Sequence, residues 1–186
     1  VAVSLSVNGT EDGTLYFYET ATGRRRDDAI PGVNGGTAGG SAAWNADGTG
    51  VFYTRYPRPG ERPAEELPFY QQIYYHRLGT PLAEDTYVLG REFPKIAEIV
   101  LDTSPDGRFV LADVLNGDGG EHAFWLRSPG GAWTQISRFE DNAIGDEGVT
   151  VVVGVRSSSA RHRLADPAAV ERLLEALAWP AHRGPR

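Results

Sequence analysis

The sequence predicts an all-β fold, a partial β-propeller of about three blades, and three observations predict it. A strand, a tight turn and a second strand over Ala42 to Thr54 recur at Thr103 to Ala112, with Asp47-Gly48 and Asp106-Gly107 in matching places 59 residues apart. Around both copies, short runs of β-branched and aromatic residues alternate with clusters of Gly, Pro, Asn and Asp, the pattern of strands joined by turns. Almost nothing before position 145 has a 3.6-residue apolar period, so helical repeats are poor competitors. Sheet units recurring every ~40–50 residues suggest propeller blades, and the surplus length here sits in the 55–72 loop. A β-sandwich of several short strands is the structural alternative, because it uses the same strand and turn chemistry.

Each unit reads as follows. The first has Val1 to Ser6 as a strand, a turn over Asn8 to Gly13, and a returning strand at Leu15 to Tyr18. Ala29-Ile30-Pro31 follows as a short edge strand, since Pro cannot donate to a ladder. In the second unit the Asn45-Ala46-Asp47-Gly48 turn leads to Val51 to Thr54. Its long polar loop follows, where Pro57, Pro59, Gly60 and Pro63 exclude regular structure. Ile73 to Leu78, a Gly79-Thr80 turn and Thr86 to Leu89 complete that unit. The third has Arg108 to Val114, a turn over Asn116 to Gly120, Ala123 to Leu126, a Pro129-Gly130-Gly131 turn and Trp133 to Ile136.

Near Gly145 the composition changes. Val149 to Val155 reads as one more strand and Arg156 to Arg161 as a linker. Asp166 to Trp179 reads as a helix, capped by Asp166, opened by Pro167, and carrying Val170, Leu173, Leu174 and Leu177 on one face. The expected division is therefore 1–144 as the partial propeller and 145–186 as a divergent tail whose helix does not match it.

Composition excludes several classes. The net charge is −7, and the one basic run, Arg24-Arg25-Arg26, is followed at once by Asp27-Asp28 and reads as a solvated turn. That argues against a nucleic-acid partner, which needs a basic stripe. No apolar stretch approaches the ~20 residues that span a bilayer, so no membrane partner is expected. With no Cys there is no disulfide framework and no thiolate metal site. The chain opens in a strand without Met or a basic leader, which reads as a start inside a longer domain.

Catalytic patterns fail one by one. Gly39-Gly40-Ser41-Ala42-Ala43 lacks the second glycine of a nucleophile elbow, and a strand follows it where a helix should. His76, His122, His162 and His182 are dispersed, and His76 reads as a surface or cross-strand partner. The Asn116 to Glu121 turn lacks the alternating oxygens of a calcium loop, and no Lys or helix follows the glycines of 35–40 to hold phosphate. No catalytic residue, metal or cofactor is expected.

A resemblance is more specific than any of these patterns. The run GGTAGGSAAWNADGTGVFYTRYPRPGERP is similar to the β-propeller of the prolyl oligopeptidase family of serine peptidases. So are FYQQIYYHRLGT, LGREFPKIAEIVLDTSPDGRFVLADVLNGDGG and WTQISRFED, in order and at matching spacing over roughly Val1 to Asn142. The resemblance implies a propeller that caps an α/β-hydrolase domain, excludes folded proteins and admits oligopeptides, in a cytoplasmic enzyme cleaving short peptides after proline. The hydrolase domain and its triad are expected to be missing from this chain, leaving it inactive alone.

By the same resemblance, Phe52 matches the aromatic that reaches substrate, and Arg55 to Gln72 matches the access loop, with Arg55, Tyr56, Arg58, Arg62 and Tyr70 as its side chains. Packing between blades is the competing reading of Phe52, and a solvent-exposed insertion that of the loop. Leu115 and Asn116 stand at a substrate-facing segment without an assigned role. Because 148–186 does not resemble the family's further blades, a truncated or frame-shifted product is expected, or else a tail that covers the open array. Raw sheet edges make self-association an expectation. A second function class is a non-catalytic peptide- or protein-binding β module, using blade edges and the aromatics Tyr53, Tyr56, Phe69 and Tyr70 for strand addition.

Overall fold

The computed structural model describes residues 1–141 apart from 9, 11, 35–39 and 105. The expected tail strand, linker and helix, and the boundary near 144, lie outside the described residues.

Eleven strands form three antiparallel meanders among the described residues. Sheet 1 holds β1 (Ala2–Ser6), β2 (Gly13–Tyr18) and β3 (Arg25–Asn34). Sheet 2 orders β4 (Ala42–Trp44), β5 (Gly50–Arg55), β6 (Gln72–Arg77) and β7 (Thr86–Leu89). Sheet 3 orders β8 (Glu98–Thr103), β9 (Val110–Leu115), β10 (His122–Arg127) and β11 (Trp133–Gln135).

The two Asp-Gly copies make the same turn. Gly48 and Gly107 sit at φ 69° and 73°, where a side chain is disfavoured. Each preceding carboxylate accepts the backbone N–H two residues on, Thr49 to Asp47 at 3.0 Å and Arg108 to Asp106 at 3.1 Å. Strands need not be aromatic to be buried, however. Glu98–Thr103 alternates inward Ile99 and Leu101 with exposed Val100, and this opening strand of the third unit was not anticipated as a strand of its own. The first-unit edge strand is also longer than Ala29-Ile30-Pro31, and it takes in Arg25 and Arg26, so the arginine run ends a turn and begins β3. Pro31 keeps its place on the sheet edge, opposite Thr14.

Packing decides between propeller and sandwich. All of Gly50 to Arg55 is buried, because sheet 2 is covered on both faces. Val51 and Tyr53 pack with Leu15, Phe17, Ile30 and Val33 of sheet 1. Phe52, Ala43 and Ile73 pack with Ile99, Leu101, Val110, Ala112 and Val114 of sheet 3. A two-layer sandwich leaves one face of each sheet to solvent. Here the opening strands of sheets 2 and 3 also touch: the Leu101 N–H donates to Ser41 Oγ at 2.9 Å, and the Thr103 hydroxyl donates to the Trp44 carbonyl at 2.9 Å. Farther out, a groove of about 440 Å³ lined by Leu89 of β7, Trp125 of β10 and Gln135 of β11 opens between the two sheets. Sheets that converge at the first strand and diverge at the last are propeller blades.

Close approach also fixes Gly50. A Cβ there would collide with the Tyr75 hydroxyl and the His76 carbonyl, whereas the space around Gly48 is open. Gly50→Ala is expected to cost about 1–3 kcal/mol through overpacking, more than the ~1 kcal/mol expected of Gly48→Ala, as read from urea midpoints.

Candidate functional site

The 55–72 loop leaves sheet 2 at the end of the blades opposite the Asp-Gly turns, as the chain direction of β5 requires. It is more ordered than its prolines suggested. It carries a single 3-10 turn over Ala64–Glu66 and a bridge between Pro59 and Arg62. It is also tied to the start of sheet 3: the Tyr70 N–H donates to the Lys95 carbonyl at 2.8 Å, and buried Gln71 accepts the Ile99 N–H at 2.9 Å. Lys95 in turn lies over the Phe69 ring. Gln71 and Lys95 were not singled out from the sequence, where nothing marks residues that grip a neighbouring blade.

Within the loop the cations are arranged in pairs. Arg55 is only 6% exposed; its guanidinium holds the Glu61 carboxylate at 2.7 and 3.0 Å, donates to the Tyr56 carbonyl and stacks on Tyr74 at 3.7 Å. The Arg58 N–H donates to the same Glu61 carboxylate at 2.8 Å. Arg62 pairs with Glu66 at 2.9 Å and stacks on Tyr70 at 3.8 Å. Tyr70 sits at φ 62°, a strained setting for a bulky residue, where the loop turns back toward sheet 3. Tyr56, Arg58, Arg62 and Tyr70 are all half-buried. The hydrogen bond from Arg55 holds the Glu61 carboxyl below its ordinary value, with burial acting the other way.

Phe52 is placed between blades. Its ring is 4% exposed, 5.0 Å from Tyr75 and edge-on to Trp133 at 6.0 Å, with the Arg127 guanidinium over it at 4.8 Å. It lines the floor of an open recess of about 350 Å³ with Tyr87, Arg127 and Trp133. Contact with a ligand would require Arg127 or Trp133 to move aside.

Two expectations change. Tyr53 is not an exposed binding aromatic: it is fully buried, and its hydroxyl donates to Asp85 at 2.6 Å. His76 is not a surface residue: it is 1% exposed, because the sheet face that carries it is covered by sheet 1. Ser41 is committed to Leu101 on both sides, donating to its carbonyl at 3.3 Å as well as accepting its N–H. Among the described residues, no group of three or more His, Asp or Glu could hold a metal ion. No helix among them is long and apolar enough to cross a membrane.

Three wedge-packed antiparallel meanders define a β-propeller portion. The family model of the prolyl oligopeptidase N-terminal β-propeller domain matches residues 1–147, and the chain belongs to that family. Prolyl oligopeptidase A of Galerina marginata (strain CBS 339.88) is 30% identical over 92 residues, 46% of this chain and 12% of that protein. The prolyl endopeptidase of Elizabethkingia meningoseptica is 25% identical over 128 residues, 67% of this chain and 17% of that one. The matches span a quarter or less of these relatives' lengths. A solved structure from a study of two prolyl endopeptidases and their inter-domain dynamics has a TM-score of 0.61 at 25% identity, covering 74% of this chain and 20% of that one.

Phe52→Ala is expected to destabilise the chain by about 3–5 kcal/mol, the cost of emptying an aromatic site between packed sheets, seen as a shifted urea midpoint. Glu61→Ala leaves the buried Arg55 without its carboxylate. A loss of about 1–2 kcal/mol is expected, reduced from that of a fully buried pair because Glu61 is partly in water, with faster proteolysis inside 56–70. Since the Glu61 value is depressed in the folded state, this contribution is complete above the ordinary carboxylate range and disappears as pH falls through the depressed value. Loop proteolysis should therefore accelerate on acidification in the wild type and stay flatter in Glu61→Ala.

Proposed function

We propose that this chain serves as the peptide-admitting propeller of a serine endopeptidase that cleaves short peptides after proline, with hydrolysis carried out by an α/β-hydrolase domain. The observation that supports this reading most is the family match over residues 1–147, on a fold whose three blades pack as that domain's blades do. A peptide as the ligand accords with prolyl oligopeptidase B from Galerina marginata, which shares the fold at 21% identity and has been determined with a 35mer hydrolysis and macrocyclization substrate.

In this reading the end of the blades that carries the 55–72 loop faces the hydrolase domain and controls access. Arg55 and Arg62, each clamped by a glutamate and a tyrosine ring, hold the loop in shape. Arg58, Tyr56 and Tyr70, half-buried, form its working surface. Phe52 supplies an aromatic wall, reached when the recess above it opens. The proposal gives the chain no chemistry of its own, consistent with Ser41 being hydrogen-bonded on both sides.

The test is hydrolysis of a chromogenic Gly-Pro peptide by the purified chain, alongside the same substrate with the prolyl endopeptidase of Elizabethkingia meningoseptica as the positive control. No turnover by the folded chain is expected. Turnover that tracks the chain through purification would overturn the reading, whether or not Ser41→Ala abolishes it. Equal peptide binding by the chain alone and by the whole control enzyme would favour the non-catalytic binding module.

A further inference from the structure

A cluster outside the loop joins the first two blades. His76, on the face of β6 that meets sheet 1, lies between two carboxylates whose side chains are 8% and 4% exposed. Its Nδ1 is 2.7 Å from Asp85 Oδ1, just ahead of β7, and its Nε2 is 3.5 Å from Asp28 Oδ1 on β3. The Phe17 ring stacks on it from sheet 1 at 6.4 Å. Asp85 also receives the Tyr53 hydroxyl, and Asp28 receives the Gly79 N–H and, at 3.4 Å, the Arg26 guanidinium. A groove of about 610 Å³ between the two blades, edged by Glu19, Arg25, Asp27 and Thr80, opens onto the Asp28 side.

The two carboxylates bear on how many protons the ring carries. A neutral imidazole has one N–H, and if that proton sits on Nδ1 toward Asp85, the Nε2 lone pair faces a buried carboxylate oxygen. Among the described residues Nε2 makes no hydrogen bond, since Asp28 Oδ1 stands off at ion-pair distance, and it has almost no contact with solvent. Asp28 has donors of its own in Gly79 and Arg26, but an unprotonated Nε2 would turn its lone pair toward the Asp28 oxygen in a nearly dry site, and a second ring proton replaces that repulsion with attraction. We propose that His76, as an imidazolium between Asp28 and Asp85, is a protonation-dependent clasp that holds the first blade on the second and releases it when the Nε2 proton is lost. This goes beyond the peptide-admitting reading and does not depend on it.

The surrounding charges set the sense of the pH dependence. Burial alone would raise the Asp28 carboxyl, but the Gly79 N–H, Arg26 and His76 outweigh it and hold it below its ordinary value. Its contribution is therefore present above the ordinary carboxylate range and lost as pH falls through the depressed value. Tyr53, kept neutral by burial and by Asp85, donates throughout and does not switch.

Two measurements on the full 186-residue chain test this. Nitrogen-15 NMR of labelled histidines should show His76 with both ring nitrogens protonated in the folded chain at mildly acidic pH. A neutral tautomer there would overturn the proposal. Hydrogen exchange by mass spectrometry, corrected for intrinsic rates, should then show protection of 25–34 falling about tenfold relative to 110–115 as the pH is raised past the point where the NMR signal shows the Nε2 proton lost. Asp28→Asn should remove that relative change. An equal fall in Asp28→Asn, or a constant ratio in the wild type, would contradict the clasp; the NMR result stands by itself should the variant fail to fold.

Discussion

Everything in this molecule depends on one sheet being buried on both sides. In Gly50–Arg55 successive side chains point to opposite faces, as in any strand, yet all six residues are buried. Val51 and Tyr53 belong to the core shared with sheet 1, and Phe52 to the core shared with sheet 3. Neither core exists without the middle sheet, so the three blades are one folded unit held by two apolar seams.

The seams differ in character, and the difference places the functional elements. Between sheets 2 and 3 the contact is almost wholly apolar, closed at the inner strands by Ser41 and Thr103 and roofed at one end by the 55–72 loop through Tyr70 and Gln71. The access loop of the proposed function is therefore attached to the tighter seam. Between sheets 1 and 2 the apolar core of Leu15, Phe17, Ile30 and Val33 is bordered by a buried charge cluster of Asp28, His76 and Asp85. Buried ions add specificity only while their protons and partners are in place. The first blade thus meets the second across buried charge, and the second meets the third across apolar side chains and neutral hydrogen bonds.

Local chemistry made most of this architecture legible. The Asp-Gly turns, the aromatic β5 and β6 and the Thr86–Leu89 strand can be read from residue type, because each turn is satisfied within a few residues of itself. Glu98–Thr103 is hard to read as a separate strand because its apolar run, Ile99 to Leu101, is short, is flanked by Glu98 and Asp102, and carries no aromatic. The candidate residues separate in the same way. Their position on β5 and its loop follows from the chain, but the burial of Phe52 and the clamping of Arg55 and Arg62 come from neighbours brought in by packing. Asp28 and His76 are invisible as a pair in sequence: they sit on different sheets, and nothing local to either one names the other.

The most direct test of the account is a comparison of Val51→Asp and Phe52→Asp, neighbours in sequence that face opposite seams, by urea denaturation followed with circular dichroism. The account predicts that each charge abolishes the cooperative transition, since both side chains are almost wholly buried, Val51 against sheet 1 and Phe52 against sheet 3 beneath Arg127 and Trp133, and burying a carboxylate at either place costs several kcal/mol. A normal transition in either variant would mean that one face of β5 meets water, as in a two-layer sandwich, and would contradict the bladed arrangement on which the rest is built.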